Sequence, residues 1–163
     1  MRRPTWCRCS TRLCAPTLRP DRVPAFAPHL KVFQRDFYDL EDATADGPVR
    51  RVIHEMVDFL QDWTEGAPGA RLLCHCHMGA SRSTAAAFIA LCIRRGKGME
   101  AEAFETFLRV VNKPWPNLRM VTLGDDILQR QGAMVAALET YRATYPRRIL
   151  AYRRLNARRG IYQ

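Results

Sequence analysis

From Ala85 to Ile93 the chain reads Ala-Ala-Ala-Phe-Ile-Ala-Leu-Cys-Ile, with no polar residue at any position. A helix of that composition, over Ser83 to Arg95, has no face suited to water and must be surrounded by other elements. Gly96 and Gly98 stop it. Just upstream, Arg71-Leu72-Leu73-Cys74-His75 reads as a short buried strand, and a loop containing Gly79 joins the two. A strand that feeds a buried helix through a tight loop is the unit around which the rest must fold. The chain's 163 residues suffice for one core.

The flanking pattern supplies the other layers. Leu30-Lys31-Val32-Phe33 predicts a short strand, followed by an acidic loop from Asp36 to Asp46. Val49, Val52, Ile53, Met56, Val57, Leu60 and Trp63 recur at helical spacing, and Gly66, Pro68 and Gly69 end that helix. Three further helices are predicted over Met99–Val111, from Asn117 as a cap through Leu128, and over Ala133–Tyr145. The fold class expected is α/β, with a small parallel sheet flanked by helices and short of strands at its N-terminal side. Residues 1–28 hold five prolines and show no period of two or of 3.6, which predicts an irregular or disordered segment. The expected organisation is therefore an irregular segment 1–28, a domain 29–145, and a basic, weakly patterned tail 146–163.

Charge separates the ends from the middle. Residues 1–35 carry eight Lys/Arg against one Asp, and 142–163 carry seven Arg and no acid. The stretch 36–141 has eleven basic and fifteen acidic side chains. The basicity belongs to the ends, so no specific nucleic-acid partner is expected of the domain. No run of eighteen apolar residues occurs, so no membrane span is expected. Cys74, Cys76 and Cys92 lie in apolar runs, a usage that suits a reducing cytoplasm. The Cys7-x-Cys9-x4-Cys14 spacing lacks a fourth ligand nearby, and four consecutive residues, Cys74 to His77, cannot wrap a tetrahedron. No metal and no cofactor are expected.

The chemistry concentrates in His75-Cys76-His77-Met78-Gly79-Ala80-Ser81-Arg82-Ser83. Free amides at a helix start, with the positive end of the helix dipole, make an anion site. Gly79 permits backbone angles that let several N–H groups converge. Arg82 can grip two oxygens of a phosphate in a planar fork. The same positive field favours a thiolate at Cys76. One loop thus offers nucleophile, oxyanion donors and cation.

This run resembles the Cys-x5-Arg signature of the protein tyrosine phosphatase superfamily, in its His-Cys-x-x-Gly-x-x-Arg-Ser form. Pro116-Asn117 resembles a Pro-Asn pair of dual-specificity phosphatases, and Gly79-Ala80-Ser81-Arg82-Ser83-Thr84-Ala85-Ala86 resembles compact bacterial members. The likeness covers about residues 30 to 145. It implies a phosphatase-like fold and phosphomonoester hydrolysis through a phosphocysteine at Cys76, acting on phosphotyrosine or with dual specificity. It implies that Arg82 and the amides of His77, Met78, Gly79, Ala80, Ser81 and Arg82 hold the phosphate oxygens. It further implies that the Ser83 hydroxyl supports the departing thiolate, that His75 orders the loop, and that a separate Asp is the general acid. Asp36, Asp39, Asp42 and Asp46 are candidates. Asp39, in Phe37-Tyr38-Asp39-Leu40, is favoured and Asp42 is second. The substrate class implied is a phosphorylated protein or a small phosphoester. The alternative is a module of the same fold that binds phosphorylated ligands without turnover.

Overall fold

The computed structural model describes the backbone of residues 6–10, and residues 31–66, 70–76 and 78–158. They form three short strands and six helices: β1 (Trp6–Ser10), β2 (Lys31–Gln34), α1 (Arg50–Glu65), β3 (Arg71–His75), α2 (Arg82–Arg95), α3 (Glu100–Val110), α4 (Leu118–Ile127), α5 (Ala133–Thr144) and α6 (Arg148–Arg158). The described chain is mainly helical. The strand order is β2-β1-β3. β1 runs parallel to both neighbours, with Cys9 in register with Phe33 on one side and Cys74 on the other.

β1 departs from the expectation of an irregular segment over 1–28. Cys7-Arg8-Cys9-Ser10 does alternate apolar and polar, but a period of two over so few residues among prolines gives almost no signal. The rest of that segment lies outside the described residues. β3 departs in another way: none of its residues is buried, and Leu73 is 36% exposed. The reason is that only one face is covered. Phe33, Leu72 and Cys74 pack toward the helices, while Val32 and Leu73 alternate to the other face and stay exposed.

α2 occupies the centre, as its composition requires. It packs against α1, α3, α4 and β3. Ala85, Ala86, Phe88, Ile89 and Cys92 are wholly inaccessible to water. Burial of a side chain such as Phe88 or Ile89 contributes about 2 kcal/mol each. Phe88 meets Phe104 of α3 edge to face at 4.8 Å, and Phe104 meets Tyr141 of α5 at 5.4 Å. Ile53, Met56 and Leu60 of α1 close the core from the opposite side. This packing fixes the N-terminus of α2 in space, and with it the loop that carries Cys76.

The basic end also differs from expectation. After Pro146, in the stretch expected to be a basic, weakly patterned tail with at most one or two helical turns, the chain forms α6, about three turns long. Its Tyr152 donates a hydrogen bond to the Lys113 carbonyl, and Arg148 stacks on Tyr145 at 3.9 Å. Tertiary contacts of this kind stabilise a helix whose own pattern is weak.

Candidate active site

Cys76 stands at the first position after β3, partly accessible, and Ser83 lies in the first turn of α2. Their side chains meet: Cys76 Sγ is 3.2 Å from Ser83 Oγ. The loop between them turns on Gly79, whose φ of +69° costs a glycine nothing and strains other residues. His77 lies outside the described residues. Met78 and Ala80 are partly buried and Gly79 is exposed.

The loop is held by its carbonyls. Ala80 O accepts from Trp115 N–H at 2.9 Å and from the Thr84 hydroxyl at 2.7 Å. Ser81 O accepts from Asn117 N–H at 3.3 Å and again from Thr84, at 2.6 Å. Among the described residues the N–H groups of Met78 to Arg82 donate to no partner. Acceptors consumed and donors left over, at the start of a helix, make a site for an anion.

Arg82 is 6% exposed, and the way it is held matters more than its burial. One terminal nitrogen, Nη1, donates to the Phe37 carbonyl at 2.9 Å. Nε is buried without a hydrogen bond, its nearest acidic neighbour being Asp39 Oδ2 at 3.7 Å. Nη2 has no hydrogen-bond partner among the described residues. The Nε–Nη2 edge is the side of a guanidinium that engages two oxygens at once; here it makes no hydrogen bond, although Nε is ion-paired with Asp39. Burial pulls the guanidinium down from its ordinary pKa, while the nearby Asp39 and Cys76 hold it up. An arginine stays charged through such a shift.

Asp39 completes the site. Its Oδ1 accepts from the Ser81 hydroxyl at 2.7 Å and from Asn117 Nδ2 at 2.8 Å. Asn117 does double work: its Oδ1 caps α4 by accepting from Met120 N–H at 2.9 Å. Ser81, the residue that precedes α2, makes no cap bond, and its hydroxyl is turned toward Asp39, to which it donates. Asp36, Asp42 and Asp46 are exposed, and no hydrogen bond joins their side chains to the Cys76 loop among the described residues. Of the four acidic candidates, Asp39 is the one the fold brings to the loop. His75 ends β3, partly buried, on the sheet face opposite Cys74.

Sequence reasoning missed two supports. The Phe37 carbonyl anchors Arg82 from the acidic loop, and backbone groups leave no sequence signal. Glu41 pairs with Arg142 of α5 and accepts from Leu118 N–H at 3.0 Å, and Arg142 also donates to Pro116 O at 2.7 Å. Burial pushes the Glu41 carboxyl up, but its bonds to Arg142 and Leu118 and the charges of Arg142 and Arg153 outweigh that and hold it below the ordinary range. Cys92, the other thiol near α2, is wholly buried, and burial drives its pKa upward, so it is an inert thiol. No family model, curated protein or solved structure matches the chain.

Proposed function

We propose that the chain is a phosphoric monoester hydrolase with a phosphatase-like fold, of protein tyrosine or dual specificity, working through a phosphocysteine at Cys76. The observation that carries this reading is the Nε–Nη2 edge of Arg82, without a hydrogen bond and beside a loop whose amides donate to no described partner, with Cys76 and Ser83 in contact at 3.2 Å. The substrate phosphoryl group sits among the amides of residues 77 to 82, with two of its oxygens on Arg82. Cys76 attacks phosphorus as a thiolate. The S–P bond forms while the ester P–O bond breaks, and the leaving oxygen takes a proton from Asp39. Water then attacks phosphorus, its proton returns to Asp39, and the S–P bond breaks. The Ser83 hydroxyl donates to the thiolate as it departs.

Asp39 accepts both of its hydrogen bonds on Oδ1, which leaves Oδ2 to carry the transferred proton. We place the chain in the cytoplasm, where the Cys76 thiolate stays reduced; no described helix is long and apolar enough to cross a membrane. The test is hydrolysis of para-nitrophenyl phosphate by the purified chain, with vanadate as a competitive inhibitor. Tight phosphate or vanadate binding without hydrolysis would replace the enzyme with a module that only holds phosphorylated ligands.

A further inference from the structure

The corner where α5 passes into α6 forms an open groove of about 600 Å³ against the segment at Lys113. Its walls are mostly apolar, with Tyr145, Tyr152 and Leu155 prominent, and its rim is basic, with Lys113, Arg147 and Arg148. No Asp or Glu lines it. Tyr145 and Leu155 keep 44% and 37% of their surface in water.

The cations are differently prepared. Arg148 is fixed: it lies 3.9 Å over the Tyr145 ring and 5.2 Å over Tyr141, and donates to the Tyr141 hydroxyl. Lys113 and Arg147 are exposed, and neither side chain makes a hydrogen bond or ion pair among the described residues. The surrounding chain, 142–163, has seven Arg and no acid, and the Glu41 carboxylate that faces it is engaged by Arg142. A concave apolar floor under unpaired cations is complementary to an extended acidic chain carrying a bulky apolar side chain.

We infer that this groove binds an acidic peptide segment of a protein partner, seating an aromatic or aliphatic side chain between Tyr145 and Leu155 with its carboxylates on Lys113, Arg147 and Arg148. A bilayer is the poorer occupant, because insertion requires a convex apolar helix face, and here the apolar wall is concave. The groove also shares a segment with the candidate active site. Lys113 opens the stretch whose Trp115 and Asn117 amides hold Ala80 and Ser81. A partner docked there lies along the same 113–117 segment that supports the loop.

The inference stands on binding and is tested by binding. The full chain is titrated against a short fluorescein-labelled peptide in which Glu and Asp flank a Phe-Leu pair, and anisotropy is followed at low and at physiological salt. Saturable binding is expected, weakened by salt. The double variant Lys113→Glu with Arg147→Glu should lose about tenfold or more in affinity, roughly 1.4 kcal/mol. It should gain affinity for the charge-reversed peptide, with Lys and Arg flanking the same pair. Leu155→Ser should weaken the acidic peptide with no dependence on salt. All three side chains are exposed or partly so, and circular dichroism confirms that the variants stay folded. Absence of binding to the wild-type chain, or an affinity unchanged in both variants, overturns the inference. So does binding to phosphatidylserine vesicles without binding to the peptide, and so does a dimer that the double variant dissolves. Hydrolysis of para-nitrophenyl phosphate, followed in parallel, bears on the proposed activity alone.

Discussion

Arg82 donates on one side to the Phe37 carbonyl and makes no hydrogen bond on the other, where Nε is ion-paired with Asp39, which makes its replacement informative. Arg82→Lys keeps the charge and loses both the anchor and the two-pronged edge. The value of kcat/KM for para-nitrophenyl phosphate should fall by about 10²–10³-fold, the cost of a missing oxyanion donor; near-normal kinetics would make Arg82 a packing residue. Asp39→Asn keeps an acceptor for Ser81 and Asn117 but carries no transferable proton. Its turnover should fall more for phenyl phosphate, whose leaving group needs the proton, than for para-nitrophenyl phosphate. Equal losses on both substrates would make Asp39 a positioning residue that orders Ser81 and Arg82. At this scale much of the site was readable, because Cys76, Gly79, Arg82 and Ser83 are close in sequence and each has a local reason to be there. The Arg82 anchor was not readable, since a backbone carbonyl 45 residues away carries no residue-type signal.

At the scale of elements, the helices follow from periodicity, and the joints between them do not. Val49 to Trp63 and Ala85 to Ile93 announce their buried faces through spacing and composition. Glu41 and Arg142 are 101 residues apart, and nothing in either neighbourhood points to the other. That joint ties the acidic loop to α5, and its pH dependence has a definite sign. The folded-state pKa of Glu41 lies below its unfolded value, so the pair stabilises the fold above the ordinary carboxylate range. The contribution is lost as pH falls through the folded-state value. Comparing thermal midpoints of the wild type and Glu41→Gln should show a gap at neutral pH that closes as acidification passes through the folded-state value. With Glu41 41% exposed, the gap should correspond to no more than about 1 kcal/mol. A gap that widens on acidification would contradict the assignment. Asn117→Ala removes the α4 cap and a donor to Asp39 together. A loss of about 1–2 kcal/mol is expected in denaturant melts, accompanied by a fall in turnover if Asn117 holds Asp39 in place.

At the scale of the whole molecule, the helical core was legible and the sheet was not. β1 is five residues long and runs between β2 and β3, yet its only sequence mark is a brief alternation at Cys7 to Ser10. Parallel pairing of distant strands leaves no local trace, since each partner is chosen by topology rather than by its neighbours in sequence. Deleting residues 1–28 removes β1 and leaves the edges of β2 and β3 facing one another unpaired, a template for aggregation. The truncated chain is expected to precipitate, or to show lower solubility and little activity; a soluble, fully active chain beginning at residue 29 would show that β1 is dispensable. The account rests above all on one covalent event in the intact chain. The most direct test is rapid acid quenching during turnover of para-nitrophenyl phosphate, followed by mass spectrometry of the peptide that carries Cys76. The account predicts a phosphoryl group on Cys76, absent in Cys76→Ser and more abundant in Ser83→Ala, where the second step is slowed. Undiminished hydrolysis by Cys76→Ser, with no phosphorylated Cys76 peptide at any time point, would contradict it.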